Sequence, residues 1–253
     1  MSLLHWDRQI FNTIRGMPPE PIDYIAKNYA RDQRRGIQGF GNALIDKSIE
    51  RHCRDKSGRR VLEIGGSSGE HIKYINKKQL FNWSKYQVLD LEPGITNSSL
   101  FHELSGKGII FTKGDVENLT FDDNSFDIIL STCVLAHLST PEKALNELRR
   151  VTTDSGQIVI GIPCDPGFLN RLVKLIVTYP KMKRNGTLNP RLQYARDHRN
   201  SVGNLITLIK HVYSQDKLQL RYLPFGLHSW NTNLFVLAVI DVKKPIQNHH
   251  TDA

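Results

Sequence analysis

The stretch VLEIGGSSGEH, from Val61 to His71, constrains the chain more than any other. Val61, Leu62, Glu63 and Ile64 read as a short strand that runs directly into glycines, and Glu70-His71-Ile72-Lys73-Tyr74-Ile75 continues as a helix pattern. A strand entering a helix through glycines lets the backbone approach a ligand and aims the helix N–H groups at it. That is how an α/β sheet makes a nucleotide-sized cradle. A dinucleotide fingerprint needs glycines at 65, 67 and 70, where this chain has Gly65, Ser67 and Glu70. The spacing that fits is acid-x-G-x-(G/S)-x-G, read as Glu63, Gly65, Ser67 and Gly69, with Gly66 inside the turn.

Apolar runs recur after this turn. Tyr86 to Gly94 reads as a second strand ending in Asp90, about 20 residues beyond the glycines, where an acid can accept hydrogen bonds from both hydroxyls of a ribose. Leu91 is placed to pack on an adenine face, and the plain alternative for Asp90 is a cap on Pro93-Gly94. Residues Gly108 to Thr112 read as a third strand, followed by Asp115 and Val116. Ile128-Ile129-Leu130 form the fourth, with Asp127 at its entrance read as a carboxylate that bonds nearby backbone. Thr140-Pro141-Glu142 starts a helix with a capping hydroxyl, a proline in the first turn and an acid facing the dipole. Its apolar face is Ala144, Leu145, Leu148 and Val151, and Gln157 to Pro163 is a fifth strand.

Two of these runs, GDVENLTFDDNSFDIILSTCVLAHL and PEKALNELRRVTTDSGQIVIGIP, together with the glycine turn, resemble class I S-adenosylmethionine-dependent methyltransferases of the ubiquinone/menaquinone type. The resemblance covers residues 61–163, with Thr120 where the family pattern has proline and Ser67 where it more often has glycine. It implies an α/β, Rossmann-like fold: a seven-stranded, mostly parallel sheet with the last strand reversed and helices on both faces. It further implies S-adenosyl-L-methionine as cofactor, held around Glu63, Gly65, Gly66, Ser67, Gly69, Asp90, Leu91, Asp115, Val116 and Cys133. In that scheme Asp115 accepts the adenine amino group and the Val116 N–H meets a ring nitrogen. Residues 1–57 are expected as an N-terminal helical cap, packing on the sheet flank being the alternative. Residues 58–253 are expected as the methyltransferase domain, with a basic substrate-side insertion at 164–216. The strands Leu218–Leu223 and Leu234–Ile240 should close it, joined by the loop 224–233.

Charge and composition bear on the acceptor. The formal net charge is +9, and eleven Lys or Arg against two Asp between Arg171 and Arg221 account for all of that excess. A localised basic region suggests an anionic partner, a solvated basic surface being the alternative. Cys53, Cys133 and Cys164 are odd in number and far apart, which argues against a disulfide framework and for a cytoplasmic setting. The longest apolar run, Leu234 to Ile240, is too short to span a bilayer. Phe168 to Val177, with Arg171 and Lys174 inside it and Lys181, Lys183 and Arg184 after it, reads as an amphipathic helix. Two placements suit such a helix, a peripheral contact with a membrane surface or a lid packed on the core, and the reading taken is the lid.

Methyl transfer is an in-line displacement that depends on alignment more than on obligatory side chains. Where a base is needed, His137 and His198 are the candidates, with His228 a third. Asn248-His249-His250 and the rest of the chain lack metal-ligand spacing. The expected reaction is O-methylation of a small or glycan-type anionic acceptor. The run YARDHRNSVGNLITLIKHVY, with LPF and SWNTNLF after it, resembles methyltransferases of bacterial polysaccharide pathways. The alternatives are an RNA methyltransferase, consistent with a pI near 9.5, and a non-catalytic cofactor-binding partner protein. Nucleic acid ranks lower because Tyr179, Tyr194 and Tyr213 are not grouped as a stacking platform. Oligomeric state is not readable.

Overall fold

In the computed structural model the described residues are 36–52, 58–72, 81–94 and 97–243. The apolar runs pair into one seven-stranded sheet of order β3-β2-β1-β4-β5-β7-β6. These strands are β1 (Val61–Ile64), β2 (Tyr86–Asp90), β3 (Ile110–Lys113), β4 (Phe126–Thr132), β5 (Thr152–Pro163), β6 (Lys217–Leu223) and β7 (Phe235–Asp241). β1 lies parallel to β2 and β4, and β5 parallel to β4, whereas β7 runs antiparallel to both β5 and β6. All four β1 residues are buried, as expected of a parallel strand covered on both faces.

Strand alternation divides the core in two. On one face Leu62, Ile129, Ile158 and Ala238 meet α3 (Pro141–Val151) and α7 (Val202–Val212) through Leu145, Leu148, Leu205 and Ile209. On the other face Val61, Ile128, Val159 and Leu237 meet α1 (Gly36–His52) through Ile45 and Ile49, and α2 (Ser98–Gly106) through Leu100 and Leu104. α1 therefore packs on the sheet flank. The rest of the expected cap, Cys53, helix residues Lys73 to Ile75 and the histidine tail lie outside the described residues.

Several local expectations are corrected. The third strand begins at Ile110, because Gly108, at φ +96°, is still turning out of α2. The fifth begins at Thr152, immediately after α3. Thr140 does not cap α3 with its side chain: its hydroxyl donates to Glu117 Oε2 (2.6 Å) and its N–H to Glu117 Oε1 (2.7 Å). Asp127 behaves as read, accepting from the Arg60 N–H at 2.9 Å and facing its guanidinium at 3.3 Å. Burial alone would raise its pKa, but the bonds and charge of Arg60 outweigh that and leave it lowered.

The run read as an amphipathic lid helix does form a helix. One helical run from Phe168 to Arg184 comprises α4 (Phe168–Val173), a π-helical turn (Lys174–Thr178) and α5 (Tyr179–Arg184), and Lys174 is its one buried residue. Phe168, Leu172, Leu175 and Ile176 of this run face outward, while Leu169, Val173 and Val177 are half-buried. α6 (Pro190–Asp197) then leads back to the sheet.

Truncating Leu145, fully buried on the inner face of α3, should lower unfolding free energy by about 2–5 kcal/mol in urea melts. Leu188→Ala, at a residue 82% exposed, should change it by less than about 0.5 kcal/mol. Equal effects would contradict this assignment of the core.

Candidate functional site

Because β1 sits between β2 and β4, the chain leaves β1 and β4 toward opposite faces, and a crevice opens beyond their carboxyl ends. The glycine turn fills one lip of it. Gly65 takes φ +73° and donates its N–H to Leu89 O at 2.8 Å. A Cβ there would stand 2.3 Å from Val134 Cγ2, so both conformation and space require glycine. Gly69, at φ +81°, has the same double constraint against Leu104. A Cβ on Gly66 would meet Val88 Cγ1 at 2.7 Å. Ser67, the departure from glycine, is left-handed too, at φ +48°.

Asp90 stabilises that conformation. Its Oδ2 accepts the Ser67 N–H at 2.9 Å and its Oδ1 the Glu92 N–H at 3.0 Å, so one carboxylate joins the glycine turn to the end of β2. Each oxygen keeps a further acceptor site. Glu63, expected to line the ligand, lies beneath the turn. It is buried, its Oε2 accepts the Tyr86 hydroxyl at 2.9 Å, and His71 Nδ1 stands 3.5 Å from its Oε1. Leu91 is half-buried just past Asp90. Beyond β3, Gly114 donates its N–H to Asp90 O (2.9 Å), which brings exposed Asp115 alongside. Its Oδ1 accepts the Glu117 N–H at 2.8 Å, and Val116 is buried in the core. Cys133, at φ +61° past β4, donates its N–H to Gly161 O (2.8 Å). Burial, with Asp46 adding to it, pushes its thiol up to about 12.

The donor set discriminates among ligands. Residues 61–72 carry no Lys or Arg, and Asp90 and Asp115 present carboxylates at the ends of neighbouring strands. A pyrophosphate would meet negative charge there. A nucleoside without phosphate, offering hydroxyl and amino donors, fits.

The opposite lip holds both histidine candidates. His137 ends a short helical turn (Leu135–His137) after β4, and His198 follows α6, yet their rings meet edge-to-face at 4.6 Å between centroids. The contact exists because residues 199 and 200 are stapled to that turn. Both N–H groups donate to Ala136 O, and Asn200 Nδ2 donates to Leu135 O (2.9 Å) and Leu138 O (2.8 Å). His137 Nδ1 lies 2.6 Å from Asp197 O. A carbonyl only accepts, so Nδ1 carries the proton and Nε2 the lone pair.

Four further residues complete the cluster and were not singled out for it in the sequence: Tyr194, Lys174, Asp165 and Tyr179. Tyr194 stacks on His198 at 4.0 Å, Lys174 Nζ lies 4.1 Å from the Tyr194 ring centre and pairs with Asp165, and Tyr179 meets Tyr194 edge-on. The only signal for them was the polar crowding from Tyr194 to Asn200. Burial lowers the His198 pKa to about 3, His137 and Lys174 adding to the effect. His137 is lowered by burial and by Arg199, against the bond to Asp197. Tyr194 is raised by burial, with Asp165 contributing. At neutral pH the two imidazoles are uncharged and the phenol is protonated. His228 lies elsewhere, stacked on Tyr222.

Comparison with known proteins agrees with this architecture. Residues 62–160 match the family described as "Methyltransferase domain". The ubiquinone/menaquinone biosynthesis C-methyltransferase UbiE of Hydrogenovibrio crunogenus is 28% identical over 147 residues, 55% of each chain. The chain spans about half the length of the curated relatives it matches first. Among solved structures, a SAM-dependent methyltransferase from Aquifex aeolicus superposes with a TM-score of 0.56 at 14% identity, covering 85% of this chain and 98% of that one. The [4+2]-cyclase SpnF superposes with a TM-score of 0.59 at 11% identity, covering 88% and 94%. At such identities the superpositions carry the fold alone. Residues 62–160 are thus similar to a methyltransferase domain, and the sheet has the strand order of the class I fold.

Gly65→Ala should destabilise the chain, since left-handed backbone alone costs a residue with a Cβ about 1–2 kcal/mol. Adding Val134→Ala should recover the part due to the clash, read as a partial return of the melting temperature; no recovery would contradict the geometry. The His198 ring titrates near 3 folded and near 6.5 unfolded, so between these values the unfolded chain binds the extra proton. Its contribution to stability is complete above about pH 6.5 and is lost as pH falls toward 3, with a slope of at most about 1.4 kcal/mol per unit. His198→Phe should flatten the melting-temperature profile between pH 7 and 4.5 relative to wild type; superimposable profiles would contradict the buried neutral ring.

Proposed function

We propose that the protein transfers a methyl group from S-adenosyl-L-methionine to a hydroxyl of a small or glycan-type anionic acceptor. The observation that carries this reading is the cradle itself: a glycine turn joined to Asp90, with Asp115 beside it and no Lys or Arg among the described residues of the turn, 61–72. In this reading the carboxylate of Asp90 accepts the ribose hydroxyls and Asp115 the adenine amino group. The Val116 N–H reaches a ring nitrogen, Leu91 covers the ring face, and Gly65 to Gly69 bring backbone to the amino-acid end. The cofactor supplies a methyl group on a sulfonium sulfur, open to in-line displacement.

The acceptor approaches from the histidine lip. Neutral His137, His198 and Tyr194 add no positive charge near a sulfonium, and the Lys174 charge is held by Asp165. His137 Nε2, oriented by the Nδ1–H bond to Asp197 O, accepts the hydroxyl proton. A weak base suffices, because a hydroxyl becomes strongly acidic as its oxygen gains the methyl group. His198 is the weaker base of the two and positions His137 through their ring contact. The basic residues between Arg171 and Arg221 favour an anionic acceptor over a neutral one. RNA is the less favoured acceptor, since Tyr179 and Tyr194 are committed to the internal cluster and not to an exposed stacking platform. The fold alone does not dictate methyl transfer.

Calorimetric titration tests the cofactor. Wild type should bind S-adenosylmethionine and S-adenosylhomocysteine in the micromolar range. Asp115→Ala, at an exposed residue, should weaken both roughly tenfold with unchanged stability, the loss of about one charge-assisted bond. No binding by folded wild type would contradict the reading. Binding without methyl transfer to any phosphorylated, nucleotide-linked or lipid-linked sugar would instead favour a cofactor-binding partner protein.

A further inference from the structure

The helical run from Phe168 to Arg184 carries an apolar stripe on its outer side. Its one buried side chain is Lys174, while Phe168 (68% exposed), Leu172, Leu175 and Ile176 (66% exposed) stand in solvent. These four fall at helical spacings of i, i+4, i+7 and i+8, so they form one outward apolar stripe. The loop between β6 and β7 extends it. Asn231 accepts the Phe168 and Leu169 N–H groups, fixing the loop against the start of the run, and the same loop exposes Phe225 (65%) and Leu227 (57%). An apolar surface of this extent is a marker of a binding face and not of ordinary monomer surface.

The charge around the stripe selects its partner. Arg171, Lys183, Arg184 and Arg191 are exposed on or next to the same run, within the window that holds the whole of the net positive charge. Apolar side chains backed by cations are the pattern of a helix lying in the plane of an anionic lipid interface. None of the described helices is long and apolar enough to cross a membrane, so the contact is peripheral. A second copy of the same chain would bring like charges together across the patch.

We propose that the outer face of Phe168–Arg184, with the tip of the β6–β7 loop, docks the protein on an anionic phospholipid bilayer. The inner face of the same helix carries Lys174 and Tyr179 into the Tyr194–His198 cluster. Docking therefore sets the acceptor lip beside the interface, where an amphiphilic acceptor carries its anionic head. The surface contact itself requires no cofactor, so it stands or falls separately from the methyl-transfer reading.

The experiment is co-sedimentation of the full chain with vesicles of phosphatidylcholine alone and of phosphatidylcholine mixed with phosphatidylglycerol. Melting curves and sedimentation velocity are recorded for each variant. Wild type should bind the mixed vesicles, weakly or not at all the neutral ones, and release with added salt. Leu175→Ser/Ile176→Ser and Lys183→Glu/Arg184→Glu should each weaken binding at least roughly tenfold while leaving melting temperature and monomer mass unchanged. Absence of binding by wild type, equal binding to both vesicle types, or binding indifferent to either variant would overturn the proposal. A melting temperature lowered by several degrees in the serine variant would overturn it in favour of a segment of this chain covering the stripe. A wild-type dimer dispersed by the serine variant would overturn it in favour of a second copy.

Discussion

The Asp90 carboxylate is the constraint on which the glycine-turn lip of the crevice depends. The turn after β1 needs left-handed backbone at Gly65, Ser67 and Gly69, and only two of these positions are glycine. Asp90 makes the third tolerable by accepting the Ser67 N–H, and its other oxygen fixes the start of the loop after β2 through Glu92. Gly94, whose N–H reaches Ser67 O at 3.3 Å, closes the same contact from the far side of that loop. Two loops from neighbouring strands thus behave as one lip. Glu63 braces that lip from beneath through Tyr86.

The histidine lip is organised by a second device, one that joins segments distant in sequence. The turn after β4 has its carbonyl oxygens at 135, 136 and 138 directed at residues 199 and 200, and those bonds hold the returning end of the insertion in place. Everything upstream on that segment is thereby brought to the cleft: His198, Tyr194 one turn earlier, and Lys174 with Asp165 across from it. The same helix presents polar groups to the cleft and apolar groups to the outside. This division places the histidine lip and the outward apolar stripe on two sides of one helical run.

Local rules made the sheet and the glycine turn readable in the sequence. Strand runs bounded by turns, glycines where the backbone turns left-handed, and an acid at the end of the second strand are all encoded within a few residues of where they act. The misread features depend on distant partners. Thr140 has the ordinary look of a helix cap, but Glu117 competes for its hydroxyl and wins with two bonds. Glu63 carries the motif's acid, yet Tyr86 draws it under the turn. The facing of the helix that starts at Phe168 was hidden for a different reason. Periodicity shows that an apolar stripe exists but not which way it faces, and here the short-range choice was reversed by Lys174, whose charge is satisfied inward by Asp165 and the Tyr194 ring. The His137–His198 contact was likewise invisible, because it is made by bonds between segments about 60 residues apart.

Amide hydrogen exchange of the full chain with and without S-adenosylhomocysteine tests the central claim most directly, since it reads both lips residue by residue. The account predicts slower exchange on ligand addition at Gly65–Glu70, at the start of the loop after Asp90 and at Asp115–Glu117, with a smaller effect in the turn after β4. Protection confined to residues 165–200, or none anywhere in a folded protein, would contradict it.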